Sequence, residues 1–223
     1  MRATLLWLRD DGSVVSEALA SRLSAGEQAE LAAFPRADRR RGFLLSRRLL
    51  RRALTAHTGE PDAHFTLSRA ASGRLQLDHP ALHASLSHGP GRVAALVADA
   101  PCGVDIEGPR RVDAGRIARR YFAATEIAYL DRLPTHARQD GFLRLWTLKE
   151  AAVKALHQGL AGNMRRLVFD VRTQPPQVLS GATLQCWQQA ADAQWLAAVV
   201  ADAGAVTWTV QEVPLAALAA TNA

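Results

Sequence analysis

A chain of 223 residues, 48% hydrophobic and 22% charged, is long enough to bury a full core as one large domain or two small halves. Two cysteines, Cys102 and Cys186, exclude a disulfide framework. No apolar run has the length of a membrane span, and the N-terminal residues lack a signal-peptide layout, so reduced thiols and a cytoplasmic location are expected. The net charge of +6 points to an anionic partner: nucleic acid, a phosphorylated small molecule or an acidic protein.

In chain order, Ala3–Leu8 reads as a short buried strand, followed by a turn at Asp10-Asp11-Gly12. Ser24 and Glu27 stand at capping-box spacing before a helix over Ala29–Phe34, which Pro35 ends. Arginines 36, 39, 40, 41, 47, 48, 51 and 52 follow, interleaved with Phe43, Leu44, Leu49, Leu50 and Leu54 at helical spacing. This predicts an amphipathic helix whose arginine face is either simply solvated or binds phosphate or an acidic partner. Aromatic residues do not alternate with the arginines, which argues against single-stranded nucleic acid.

Strands take over after Gly59-Glu60-Pro61. His64–Ser68 and Arg74–Leu77 flank a hairpin turn at Ala70–Gly73, and Ala84–Gly89 and Arg92–Ala98 form the next pair. His88 stands at a strand end, and the Ser87-His88 pair has no third member that would make a hydrolase triad. Asp99-Ala100-Pro101 reads as a joint, dividing the chain into units 1–101 and 102–223. Beyond it come a strand, Gly103–Glu107, and helices over Ala114–Tyr121, Ala124–Leu133 (capped at Thr125) and Phe142–His157, the last stopping at Gly159. Strands are expected at Leu167–Val171, Thr183–Gln188, Trp195–Val200 and Val206–Val210. Helices followed by an antiparallel strand run, twice over, predict an α+β fold of two similar units, without a visible sequence repeat.

Two stretches carry the chemistry. A period of two puts Asp105 and Glu107 on one face of their strand. Trp146, Glu150 and Lys154 are spaced i, i+4, i+8, in a row along one helix. Carboxylates from a strand and a helix suit a hard divalent cation, which prefers oxygen ligands; the bland reading is a wet strand face and a surface ion pair. One feature favours the chemical reading: among 27 lysines and arginines, only Lys149 and Lys154 are lysines, and both fall in this helix. Lysine offers a compact ammonium whose proton can move, where arginine is planar and permanently charged.

Together, Ser-Leu-Ser-His at 85–88, Gly-Val-Asp-Ile-Glu at 103–107 and Trp-Thr-Leu-Lys-Glu-Ala-Ala-Val-Lys at 146–154 resemble the 4′-phosphopantetheinyl transferase superfamily, in its larger, monomeric surfactin-type branch. The resemblance covers about Ser24 to Gly159. It implies two similar α+β halves related by a pseudo-twofold, each a helix-flanked antiparallel sheet, with the active site in the cleft between them. It implies coenzyme A as donor, Mg²⁺ (or Mn²⁺) as cofactor, and a serine of an acidic acyl or peptidyl carrier protein as acceptor, from fatty-acid, polyketide or nonribosomal-peptide synthesis. The products are the modified carrier and adenosine 3′,5′-bisphosphate, and neither nucleic acid nor membrane is a partner. Asp105, Glu107 and Glu150 match the metal-site acids, and Lys154 the lysine near the pyrophosphate that would protonate the departing phosphate. Glu150, or a water held by the metal, is the candidate general base. Lys149 and Trp146 match motif positions, Trp146 as a packing residue. Ser87 and His88 match the donor-binding Ser-His step. Gly73-Arg74 matches a donor contact, and Arg40 or Arg41 the basic position for the adenosine 3′-phosphate. Glu27 and Glu30 replace lysines of the surfactin-type pattern. The arginine-rich helix is expected to serve both the donor 3′-phosphate and docking of the carrier.

Two other classes fit the bare composition: a Mg²⁺-dependent nuclease, and a basic nucleic-acid-binding module resting on the arginine run.

Overall fold

The computed structural model describes residues 1–13, 17–61, 65–69, 75–109, 112–157, 164–180 and 182–218. The first strand, β1 (Arg2–Arg9), is followed by a short helix α1 (Glu17–Ala20), by α2 (Ala25–Ala33) and by the long helix α3 (Ala37–Thr58). A ribbon of β2 (Leu67–Arg69) and β3 (Leu75–Leu77) comes next, then the hairpin β4 (His83–Gly89) and β5 (Arg92–Ala98). The second unit repeats this plan. It has β6 (Cys102–Glu107), helices α4 (Ala114–Tyr121) and α5 (Ala124–Arg132), and the long helix α6 (Thr135–Ala155). A ribbon of β7 (Phe169–Asp170) and β8 (Gln177–Val178) and a hairpin of β9 (Leu184–Ala191) and β10 (Gln194–Ala201) complete it.

The sheets are β1-β5-β4 and β6-β10-β9, so in each unit the last strand lies antiparallel between the first strand and its hairpin partner. The α+β expectation of two similar units is met. A final strand, β11 (Thr207–Glu212), returns to the first sheet and pairs parallel with β1.

Layering explains the strand sequences. Leu6, Leu8, Val93, Ala95 and Val97 pack under α3, whereas Leu5, Trp7, Ala94, Leu96 and Ala98 face Val104, Ile106, Leu196 and Ala198 of the second sheet. Ala197 and Val199 turn outward to α6. The order is therefore helix, sheet, sheet, helix, and β5 is buried along its whole length because both of its faces are covered.

Helix ends follow local chemistry. Ser24 caps α2 as expected: its Oγ accepts from Glu27 N at 3.3 Å while Glu27 Oε2 accepts from Ser24 N at 3.0 Å. Thr125, in contrast, does not cap α5. The cap position is Ala123, whose N–H donates to Glu126 Oε2 at 2.8 Å. The helix expected over Phe142–His157 begins a full two turns earlier, directly after Pro134, whose fixed φ suits a helix entrance. Turn Ala70–Gly73 and the stop at Gly159 lie outside the described residues.

Both cysteines are free and buried, and burial pushes the Cys186 thiol up to about 12. No helix among the described residues is long and apolar enough to cross a membrane.

Candidate active site

A cavity of about 1320 Å³ opens between the two units, walled by α3, the β2–β3 ribbon, β4 and the ends of β6 and α6. Its position follows from how β4 and β6 meet. They do not form a ladder; serine hydroxyls bridge them instead, Ser85 Oγ accepting from Val104 N at 3.1 Å and Ser87 Oγ from Ile106 N at 3.3 Å. The strand carrying His88 is thereby held beside the one carrying Asp105 and Glu107.

Gly103 brings α6 down onto β6. A Cβ at that position would lie against Ala151 O, 2.6 Å from Ala155 N and 2.8 Å from Lys154 Cβ, so no larger residue fits this approach. The close contact lets Lys154 Nζ reach Val104 O at 2.8 Å and Asp105 Oδ1 at 2.9 Å. Asp105 is 5% exposed, and Ser87 Oγ also donates to its Oδ1 at 2.9 Å. Its second oxygen, Oδ2, is enclosed and has no hydrogen-bond partner.

Lys154, Glu107 and His88 line the cavity. Burial holds His88 below the usual imidazole range, assisted by the positive charges of Arg39 and Lys154. Glu150 is half-buried on α6, one turn before Lys154. The donor chemistry suits a hard divalent ion, since carboxylate oxygens are its preferred ligands and Asp105 Oδ2 is a buried acceptor lacking a donor. Among the described residues, however, no group of three or more His, Cys, Asp or Glu side chains is gathered as a metal cluster. The Lys154 ammonium pairs with Asp105 Oδ1.

Several residues singled out by sequence lie elsewhere. Lys149 is fully buried on the far side of α6, paired with Glu126 Oε2 at 2.8 Å and donating to Met164 O at 2.7 Å and Leu167 O at 2.5 Å. Burial pushes its pKa down against the opposing pull of Glu126. Glu126 Oε1 also accepts from Phe169 N at 3.0 Å. Trp146 packs among Tyr121, Phe122 and Phe142, as expected of a packing residue.

Ser87 does not line the cavity; its hydroxyl faces Asp105. Arg41 is held at the N-terminal strand by Asp10 and Ser13 O, and its guanidinium beside Asp10 keeps that carboxyl below the usual range. Arg40 donates to Phe34 O at 2.8 Å and Pro35 O at 3.2 Å. Neither lines the cavity; Arg36, Arg39 and Ser46 do. With Phe43 they share one side of α3 and its N-cap. Arg74 lies outside the described residues.

The arginine-rich face of α3 is only partly at the surface. Arg47, Arg48 and Arg51 are buried; Arg51 pairs with Glu27 at 2.7 Å, and Arg47 with Glu27 at 3.7 Å and Glu30 at 3.3 Å. The two glutamates that depart from the surfactin-type pattern thus neutralise arginines of the neighbouring helix.

A family model described as the 4′-phosphopantetheinyl transferase superfamily matches residues 101–212. The chain is 38% identical over 82 residues to the 4′-phosphopantetheinyl transferase psf-1 of Bacillus pumilus, covering 37% of this chain and 35% of that protein. It is 31% identical over 149 residues to the 4′-phosphopantetheinyl transferase HetI of Nostoc sp., covering 64% of this chain and 63% of that protein. These alignments span less than two thirds of either relative's length. Among solved structures, a holo-(acyl-carrier-protein) synthase from Bacillus anthracis str. Ames in complex with CoA (3′,5′-ADP) aligns with 46% of this chain and 95% of its own. Identity there is 17% and the TM-score 0.40.

Proposed function

The chain belongs to the 4′-phosphopantetheinyl transferase superfamily, and from that membership we propose that it transfers the phosphopantetheine group of coenzyme A to a serine of an acidic carrier protein. The observation that supports this best is the meeting of Lys154, Glu107 and His88 on the wall of a large cleft, with Asp105 buried behind Lys154 and bonded to its Nζ. Asp105, Glu107 and Glu150 would hold Mg²⁺, or Mn²⁺ in its place; a bound divalent ion lowers the charge that builds on the diphosphate as its bond breaks.

Lys154 has three N–H donors, of which two are held by Val104 O and Asp105 Oδ1, so one is left for an anion in the cavity it lines. Arg39 adds positive charge further along the same cleft, and the His88 imidazole lines it nearby. In the reaction, the carrier serine oxygen bonds to the β-phosphorus and the bridging P–O bond breaks. Glu150 accepts the serine proton, and Lys154 supplies one to the departing adenosine 3′,5′-bisphosphate. The reading further includes a monomer in the cytoplasm, built of units 1–101 and 102–223, with the last strand of the second completing the sheet of the first.

A basic nucleic-acid module loses support, because Arg47 and Arg51 are withdrawn from the surface into ion pairs and Arg48 is buried with them. Incubation with coenzyme A, Mg²⁺ and an apo carrier protein tests the proposal by intact mass. The carrier is expected to gain one phosphopantetheinyl group with the wild type and none with Glu150→Gln. An unmodified carrier with the wild type overturns the transferase reading, and normal labelling by Glu150→Gln removes that residue from the chemistry.

A further inference from the structure

The tip of the β9–β10 hairpin reaches out of the second unit and grips the first. Asp192, in its turn, pairs with Arg9 at 2.9 Å and with Arg92. Arg92 is buried, stacks 5.1 Å from the centroid of the Trp7 ring, and faces Gly89 in the β4–β5 ladder. Two residues after Asp192, Gln194 Nε2 donates to Pro90 O at 2.7 Å. On the way there the Gln194 side chain crosses two glycines. A Cβ at Gly108 would lie 2.9 Å from Gln194 Cγ, and one at Gly89 would lie 3.3 Å from Gln194 Oε1. The missing side chains give it the room. Gly89 follows His88 and Gly108 follows Glu107; all four line the cleft, whereas Gln194 does not. Turning the amide over would set Oε1 against Pro90 O, so the bond has one orientation. In that orientation Oε1 is enclosed and accepts no hydrogen bond, a desolvation cost the amide bears while making this contact.

We propose that Gln194 is a positioning residue: from behind the cleft wall it fixes the β4–β5 turn against the end of β6, and so sets where His88 stands relative to Glu107. Ser87 ties its strand to Ile106 N on one side of His88, and the Gln194 strut holds the chain on the other. The role rests on the transferase reading for the identity of the donor that His88 would meet. A misplaced contact weakens binding without any group of the cleft being removed.

The test measures the Kd of coenzyme A by calorimetry, and KM for each substrate by carrier labelling, in the full chain. Gln194→Met keeps the length of the side chain and removes the donor. It is expected to raise Kd and KM for coenzyme A by about 2–10-fold while KM for the carrier protein stays near wild type. Gly108→Ala, whose methyl displaces the same side chain, shifts Kd in the same direction and adds little to Gln194→Met. The decisive comparison is a double-mutant cycle with His88→Ala: in that background Gln194→Met leaves Kd where His88→Ala alone puts it. Wild-type Kd in a folded Gln194→Met overturns the proposal, as does a full effect that persists without His88. Equal rises in both KM values with a lowered unfolding midpoint overturn it too, since they make Gln194 part of the frame only. A wild type that binds coenzyme A yet labels no carrier overturns the transferase reading and leaves the cycle to decide the positioning role.

Discussion

In the first unit the short helix α2 is fastened to the long helix α3 by Glu27, and in the second α5 is fastened to α6 by Glu126. Each glutamate is the third residue of its helix, each folds back to accept the N–H of the cap residue, and each is 2% exposed. Arg51 answers Glu27 and donates to Phe65 O beyond α3; Lys149 answers Glu126 and donates to Met164 O beyond α6. The two units thus share a latch as well as a strand order. They differ at the edge strand: β6 carries the buried Asp105, whereas β1 carries Leu5, Leu6 and Trp7 over its middle, so the proposed chemistry would belong to one copy of the frame only.

The comparison breaks most visibly at the latches. Removing one partner of a buried ion pair leaves the other charged and unpaired, so Glu126→Ala and Glu27→Ala are each expected to cost about 3–5 kcal/mol in urea unfolding. Glu27→Ala should be the more damaging, because Glu27 pairs with Arg51 and also lies 3.7 Å from Arg47, which keeps Glu30. A cost well under 1 kcal/mol in only one unit would end the claim that the latches are equivalent.

Next in size is the asymmetry of function. Lys154→Ala is expected to lower kcat/KM for carrier labelling by about 10²–10³-fold with little change in unfolding midpoint. The reverse pattern, stability lost and rate kept, would move Lys154 from the chemistry to the frame.

A smaller effect belongs to His88. Its pKa is depressed in the free site, and a bound phosphate favours the imidazolium, so binding draws a proton onto the ring. Affinity for coenzyme A should fall as pH rises from the depressed free value toward the bound one, by at most about tenfold per pH unit. Calorimetry in buffers of different ionisation enthalpy measures that uptake directly, and His88→Gln is expected to abolish it.

The smallest effects sharpen the comparison at the caps. Ser24 Oγ supplies one half of its capping box and the Glu27 carboxylate the other, while Ala123 has no side-chain oxygen to offer. Ser24→Ala should cost about 1 kcal/mol and Ala123→Ser should gain up to the same amount, both read from thermal unfolding.

Strand and helix order was legible because the apolar periods are strong: Arg92–Ala98 and Ala114–Tyr121 match their expected bounds. Asp105, His88 and Lys154 were legible as a constellation because their types and spacings are chemically unusual. Burial of charge was not. A glutamate at the start of a helix reads as a dipole effect, and arginines among leucines read as a wet face, until the partner helix supplies the opposite charge across tertiary space. Arg39 was missed for a related reason: a run of consecutive arginines gives no local sign of which one turns toward the cleft.

The lysine-poor composition has a practical consequence. Lys149 is sealed in the interior, and Lys154 is 33% exposed at the mouth of the cleft. An amine-directed acylating reagent therefore meets essentially one side chain on the folded protein. Its rate of attachment there becomes a footprint of whatever anion shields that nitrogen, readable by mass spectrometry with no assay of turnover.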